Sequence, residues 1–344
     1  MKRPELLLLF CFLLLLSQRS VSQDIHFTQF RNTPLLLNPA LAGSNEKGSF
    51  ILNYRDQWKS IGTPYKTFNA SADMIITRDV RKNGYFAAGL DVFSDNAGES
   101  ELRHFQSAAS LSYHVKTSEH SRLGAGFNIG YAQRAINYSN LTWGSQFDGY
   151  FYDSSLPSGQ PSGKDKIGFF DLGAGIVWSY SRGERYMTGN DQRNLTLGAA
   201  VFHLNRPDYS FNTTGERLES RVVLYGDGLI GIPNSGLSLV PGFQFHTQGK
   251  AKELTFGMSL RYLLEESSNY TGFQKGKAFS VGLYHRTGDA FLALVDLELG
   301  SYAIGVGYDM TSSSLKSANS GRGGLEVSLR WLFQNPLRKS RLRS

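Results

Sequence analysis

The stretch 122–132 reads Arg122-Leu123-Gly124-Ala125-Gly126-Phe127-Asn128-Ile129-Gly130-Tyr131-Ala132. Leu123, Ala125, Phe127, Ile129 and Tyr131 alternate with Gly124, Gly126, Asn128, Gly130 and Ala132. Successive side chains of a strand point to opposite faces, so one face of this segment is apolar and the other small or polar. The same alternation recurs in 254–262, 301–309 and 324–333; in the last, Leu325, Val327, Leu329, Trp331 and Phe333 alternate with Glu326, Ser328 and Arg330. Apolar out and polar in is the pattern of a wall between lipid and a polar lumen. A β-sandwich also alternates. Two features favour the barrel. The segments run to about ten residues, the length a tilted strand needs to cross a bilayer. Aromatics recur near segment ends (Trp58, Tyr85, Trp178, Tyr180, Tyr225, Tyr262, Tyr302, Tyr308 and Trp331), as in the two girdles at lipid–water interfaces.

Working outward, about fourteen such segments are predicted: 48–57, 65–76, 84–93, 102–116, 121–134, 168–180, 194–204, 218–231, 236–247, 252–263, 277–286, 290–299, 301–310 and 323–333. The fold class is therefore all-β, a transmembrane antiparallel barrel at 47–333. An even count brings both barrel ends to the periplasmic side. The gaps 135–167, 205–217 and 311–322 then face outward, where long loops belong, and the short gaps 117–120 and 232–235 face inward. Gaps 181–193 and 264–276 are longer than this arrangement predicts.

Composition agrees. Thirty-seven glycines, 13% aromatics and ten prolines among 344 residues suit strands and tight turns, because glycine weakens a helix. A mean hydropathy of −0.29 excludes a helical membrane bundle but not a barrel, whose apolar residues occupy alternate positions. Lys2 and Arg3, the apolar run Leu6–Leu16 and the small residues of Ser20-Val21-Ser22 form a secretory signal peptide at 1–22, cleaved before Gln23. Its apolar run is too short to span a bilayer as a helix. The only cysteine, Cys11, lies within it, so the exported chain has no disulfide and no thiol chemistry. The formal charge of +7 falls by two when Lys2, Arg3, Arg19 and Glu5 leave with the leader. Arg338, Lys339, Arg341 and Arg343 crowd a basic tail at 334–344, which either touches anionic lipid or a partner or simply solvates the end. Nucleic acid is a poor partner for an exported chain.

No catalytic, cofactor-binding or metal-binding constellation is expected. The histidines 26, 104, 114, 120, 203, 246 and 285 show no metal-ligand spacing and no nucleophile elbow. His104 and His114 share a face but lie about 30 Å apart along an extended chain. Asp171-Leu172-Gly173-Ala174-Gly175 lacks the lysine and following helix of a phosphate loop. Its glycines fit the small face of a strand.

Residues 23–46 do not alternate, and Pro34 and Asn38-Pro39 interrupt regular structure. They form either a luminal plug, which would shelter Leu35-Leu36-Leu37 from water, or a periplasmic arm. Arg55 and Gln57 share one face of the first strand. If that face is the lumen, they can hold the plug by hydrogen bonds. Trp58 follows them, either as a contributor there or as a girdle residue.

The opening Gln23-Asp24-Ile25-His26-Phe27-Thr28-Gln29-Phe30 and Pro34-Leu35-Leu36-Leu37-Asn38-Pro39-Ala40-Leu41-Ala42-Gly43 resembles the start of PorP/SprF proteins. Tyr54-Arg55-Asp56-Gln57-Trp58 and Tyr65-Lys66-Thr67-Phe68-Asn69-Ala70-Ser71-Ala72-Asp73 are similar to the family's next blocks in order and spacing. So are Tyr131-Ala132-Gln133-Arg134, Asn140-Leu141-Thr142-Trp143, Ser145-Gln146-Phe147-Asp148-Gly149, Phe202-His203-Leu204-Asn205-Arg206-Pro207 and Gly323-Gly324-Leu325-Glu326-Val327-Ser328-Leu329. The sequence departs from a common barrel ending by continuing past Phe333. The resemblance implies an outer-membrane barrel of the type IX secretion and gliding machinery of Bacteroidota, similar in architecture to fatty-acid-transporter-type barrels. It implies no catalysis and no cofactor. It implies as partners either periplasmic ring and peptidoglycan-binding components, or the C-terminal domain of a secreted adhesin. Within the opening block, Phe30, Pro34, Leu37, Asn38 and Pro39 are the interaction candidates, although Asn38-Pro39 also suits a plain tight turn. The alternative function is a channel for small polar or hydrophobic solutes.

Overall fold

The computed structural model of the chain describes residues 24, 26–45, 48–59, 63–79, 83–138, 141–159, 164–183, 185–186, 189–211, 215–265, 276–314 and 316–333. The expected leader at 1–22 and basic tail at 334–344 lie outside the described residues.

Fourteen strands close into one antiparallel barrel. They are β1 (Gly48–Gln57), β2 (Tyr65–Asp79), β3 (Gly84–Ala97), β4 (Leu102–Lys116), β5 (Ser121–Ala135), β6 (Lys166–Arg182), β9 (Arg193–Phe202), β10 (Arg221–Gly231), β11 (Leu237–Gln248), β12 (Ala251–Glu265), β13 (Lys277–Arg286), β14 (Ala290–Leu299), β15 (Tyr302–Thr311) and β16 (Arg322–Phe333). Two two-residue strands, β7 (Arg185–Tyr186) and β8 (Gly189–Asn190), pair within the β6–β9 connection, the gap that sequence spacing left too long. Each strand pairs with its neighbours in sequence. The wall closes where β1 meets β16, from Gly48 opposite Phe333 to Gln57 opposite Gly324. Closure matters because an open edge would leave backbone groups unpaired in hydrocarbon. The other long gap, 266–275, lies outside the described residues.

Alternation sets the faces. Leu90, Phe127, Phe170, Ile176 and Leu283 point outward and are among the most exposed apolar side chains, the arrangement a lipid-facing wall requires. Trp178 stacks on Tyr180, and Tyr302 on Trp331, as outward aromatic pairs near one rim. Two of the girdle assignments do not hold: Tyr85 and Tyr225 are buried and face inward. They sit at odd parity to their outward neighbours Phe86 and Leu224; a place near a strand end does not reveal parity, and Tyr225 lies mid-strand in β10.

The inner face is polar over β1–β5 and β16, with buried Asn53, Arg55, Asn69, Asp91, Asn128 and Glu326. Over β9, β10 and β14 it is apolar, with buried Ala200, Phe202, Val223, Leu292 and Leu294. In β14 the run Ala290-Phe291-Leu292-Ala293-Leu294-Val295 therefore shows no alternation. Its outward Phe291 and Val295 are exposed on the lipid side, while its inward Leu292 and Leu294 are covered by protein, so both faces are apolar and the strand reads as a continuous apolar run.

The covering comes from residues 26–43. A 3-10 turn at Phe30–Asn32, one α-turn at Pro34–Leu37 and a second 3-10 turn at Pro39–Leu41 fold this segment. The prolines do not exclude turns; each opens one, where its missing N–H costs nothing. Phe30, Leu37, Ala40 and Leu41 join the inward residues Val177, Ala200, Phe202, Val223, Tyr225, Tyr284, Leu292 and Leu294 in one apolar cluster.

Candidate functional site

The segment is fastened most tightly where β1, β13, β15 and β16 approach the long-loop rim. The two oxygens of Glu326 accept the backbone N–H groups of Thr28 (2.7 Å) and Gln29 (2.9 Å). Asp309 accepts from the Thr28 hydroxyl at 2.8 Å, and that hydroxyl in turn accepts from Arg286 Nη2 at 2.8 Å. Arg55 pairs with Asp309 at 2.9 Å and Glu326 at 3.1 Å, and donates to the His26 carbonyl oxygen. Arg286 also reaches Asp309, at 3.2 Å. Arg55, Arg286, Asp309 and Glu326 are all buried. Four buried charges are tolerable only when paired and hydrogen-bonded, and here the partners include the segment's own backbone.

Below this clamp, Asn32 Nδ2 donates to Ser328 Oγ at 2.8 Å, and its carbonyl accepts from Asn53 at 2.8 Å. Arg31 donates to the Val240 and Pro241 carbonyls at 3.1 and 2.8 Å. Its guanidinium lies over the rings of Phe30 and Tyr284. Pro241 has no N–H for the ladder, and the β10–β11 pairing skips from Asp227–Gly242 to Ile230–Leu239. At the opposite rim, the Gly43 N–H donates to Asp73 at 2.7 Å, and Ser112 Oγ, at 2.8 Å, and His114 contact the Ala42 carbonyl.

Inward glycines make room for the chain. A Cβ at Gly126 would lie 2.7 Å from the backbone N and Cα of Ala40, and one at Gly175 would overlap the Asn38 side chain. The glycines of 171–175 thus serve close approach, not phosphate.

Asp24 lies at the long-loop rim, far along the barrel from Gly43. Its carboxylate meets His203 Nε2 at 2.5 Å, while His203 Nδ1 meets Asp171 at 2.8 Å, and Arg221 stands 3.5 Å away. His203 follows β9 with a φ of +56°, a left-handed conformation rare for a side-chain-bearing residue. Burial alone would lower its pKa, but the Asp24 and Asp171 carboxylates outweigh that and raise it to about 9. Burial alone would raise Asp24; the His203 and Arg221 charges prevail and hold it well below the usual carboxylate range. Both imidazole nitrogens are engaged by carboxylates, so this histidine has no nitrogen left to activate a hydroxyl nucleophile. Among the described residues no group of His, Cys, Asp and Glu is arranged to hold a metal ion.

The residues singled out from sequence fall as follows. Phe30 is buried edge-to-face on Tyr284, with ring centres 6.1 Å apart. Pro34 opens the α-turn and Leu37 closes it, in the apolar cluster. Asn38 is fully buried; its Oδ1 caps the next turn by accepting from the Ala40 N–H, and its Nδ2 donates to the Ile176 and Ala199 carbonyls of the wall. Pro39 is buried at the start of that turn. Arg55 is the hub described above, and the Gln57 carboxamide lies against its guanidinium, able to accept from it with the amide turned oxygen-inward. Trp58 stands apart with a φ of +57°, edge-on to Tyr65, its N–H donating to the Gly323 carbonyl. Arg286, Asp309, Asp24, His203 and Asp171 did not stand out in the sequence. The available signal was parity: Asp309 and Glu326 are charges on the small face of otherwise apolar strands.

A closed antiparallel wall with a lipid-facing apolar exterior, and a chain segment held inside by buried charges, defines a transmembrane β-barrel protein. The chain belongs to the PorP/SprF family of type IX secretion system membrane proteins, whose family model matches residues 20–331. It is an outer-membrane protein of that system. No curated protein matches it in sequence. Among solved structures it is similar to the deltaS2S3 mutant of TodX, a monoaromatic hydrocarbon channel (9% identity over 88% of this chain and 94% of that one, TM-score 0.48). It is also similar to a Pseudomonas aeruginosa FadL homologue (11%, 86% and 92%, TM-score 0.47) and to BamA from Haemophilus ducreyi lacking POTRA domains 1–3 (9%, 84% and 70%, TM-score 0.43).

Proposed function

We propose that this chain is a non-enzymatic, plugged barrel. It supports secretion or surface anchoring of a cargo protein or adhesin by docking type IX components, and does not conduct solute. The single observation that carries the proposal is the clamp of Arg55, Arg286, Asp309 and Glu326 on the backbone at Thr28–Gln29. Residues 23–46 act as the plug, with Phe30, Leu37, Asn38, Pro39, Arg55 and Gln57 as its fastenings. Beside Thr28–Asn32 lies a partly open pocket of about 140 Å³, lined by Arg31, Ser259, Arg261, Tyr284, Leu294 and Glu298. Its charged lining, with Arg31, Arg261 and Glu298, suits ordered waters rather than an apolar solute. The partners are periplasmic ring and peptidoglycan-binding proteins, or the C-terminal domain of a secreted adhesin.

The test is an affinity pull-down of the tagged protein from native outer membrane in mild detergent, with mass spectrometry of co-purifying chains, set beside a gene deletion. Near-stoichiometric secretion components or one secreted adhesin, lost from the surface on deletion, is the expected result. A solitary barrel whose deletion leaves surface delivery intact, and which conducts in planar bilayers with the segment present, would overturn it in favour of the channel reading.

A further inference from the structure

The loop between β5 and β6 carries a feature that the luminal segment does not use. Gln146, buried at 8% exposure, fastens the loop through its carboxamide. Its Oε1 accepts from the Trp143 N–H at 3.2 Å and the Tyr152 hydroxyl at 3.3 Å, and its Nε2 donates to the Leu156 carbonyl at 3.1 Å. Phe147 and Tyr152 pair as an isolated antiparallel bridge. Between them Asp148 Oδ1 accepts the N–H groups of both Tyr150 and Phe151 at 2.7 Å, and Gly149 takes a φ of +104°. The result is a rigid turn with Tyr150 and Phe151 at its tip, 84% and 76% exposed.

Single exposed apolar residues are ordinary, but two nearly bare rings side by side on a braced turn are not. Rings held this way give large contact area at small ordering cost, as binding hot spots do. Charge narrows the partner. The loop residues 136–165 carry Asp148, Asp153 and Asp165 against a single lysine, Lys164, at the far end. Bonds to the N–H groups of Phe151 and Tyr150 lower the pKa of Asp148, and the Ser155 hydroxyl and N–H lower that of Asp153. A surface of anionic lipid attracts basic segments and repels this one. The tip is complementary to protein.

We propose that the Tyr150–Phe151 tip is the outward docking anchor for a folded secreted domain that presents an apolar pocket rimmed by lysine or arginine. This rests on the secretion reading above and assigns it a surface. The test places a photoreactive benzoylphenylalanine at position 150 of the full chain in native cells and identifies the adduct by mass spectrometry. The affinity of the purified barrel in nanodiscs for that same adduct partner is then compared between the unaltered chain and Tyr150→Ser/Phe151→Ser. The expected result is an adduct with the secreted chain that co-purifies with the barrel, and binding weaker by roughly 30-fold or more, the loss typical of a hot spot. Gln146→Ala, which frees the turn while keeping both rings, should weaken binding by a smaller factor. Heat-modifiable gel mobility reports that each variant is a folded barrel. An adduct with lipopolysaccharide alone, no adduct, or affinity unchanged within threefold overturns the proposal. The secretion reading fails separately, when deletion of the whole barrel leaves surface delivery intact.

Discussion

Glu326→Gln replaces one carboxylate oxygen by an amide nitrogen and leaves the volume unchanged. In the native barrel the two oxygens accept from two adjacent backbone N–H groups, Thr28 at 2.7 Å and Gln29 at 2.9 Å. A carboxamide has a single acceptor oxygen and presents its own N–H₂ to the other donor. One buried N–H is then unpaired, costing about 1–3 kcal/mol. The surviving bond loses its charge assistance, worth about another 1 kcal/mol. Arg55 is not stranded, because Asp309 lies 2.9 Å from it. The anchor should weaken by about 2–4 kcal/mol, and each 1.4 kcal/mol is tenfold in an equilibrium constant. Hydrogen–deuterium exchange with mass spectrometry, on peptides spanning 26–33 in detergent, reads this directly. The Thr28 and Gln29 amides should exchange at least about 30-fold faster while peptides from β4 and β5 stay protected. Glu219→Gln, which disturbs only the half-exposed pair with Arg206, is the control and should change nothing. Unchanged exchange at 26–33 in Glu326→Gln would refute the reasoning, since the carboxylate would then not be what holds the segment.

The Asp24–His203–Asp171 contact should depend on pH. Because folding raises the His203 pKa above its ordinary 6.5, its contribution is complete below that value and is lost as pH rises through about 9. Exchange protection near residues 24–28 should therefore fall between pH 8 and 10, and His203→Gln should remove that dependence; a flat unaltered profile would count against it. Gly126→Leu should displace residues 38–42, because its Cβ meets the Ala40 backbone and not a movable side chain, whereas Gly144→Leu has open space and should be silent. Limited proteolysis at 34–43 separates the two, and equal resistance would contradict the packing. Leu283→Arg puts a charge on the outward face at 69% exposure, and should cost about 2–4 kcal/mol in urea unfolding from lipid vesicles if that position lies near the bilayer midplane. Removing residues 24–43 should turn a silent barrel into one with measurable conductance in planar bilayers, and identical traces would show that the segment does not seal the lumen.

Period-two alternation, clearest in 122–132, 254–262, 301–309 and 324–333, marked the wall and its apolar outer face, and counting such segments gave about fourteen strands, the number with which the barrel closes. A membrane imposes that pattern locally: each strand must show lipid on one side, whatever its neighbours do. Local chemistry likewise marked Pro34, Asn38 and Pro39 as turn formers and Arg55 and Gln57 as sharing a face. Where the inner face is apolar as well, because the luminal segment covers it, the alternation disappears, so β14 reads as a plain apolar run, and the inward orientation of Tyr85 and Tyr225 cannot be read from their being aromatic. The clamp is less legible still. Thr28, Arg55, Arg286, Asp309 and Glu326 are scattered through the chain, and nothing in any one segment records that they meet. Burying four charges is favourable only when closure of the barrel and entry of the segment supply every partner together, and that condition exists only in the tertiary structure.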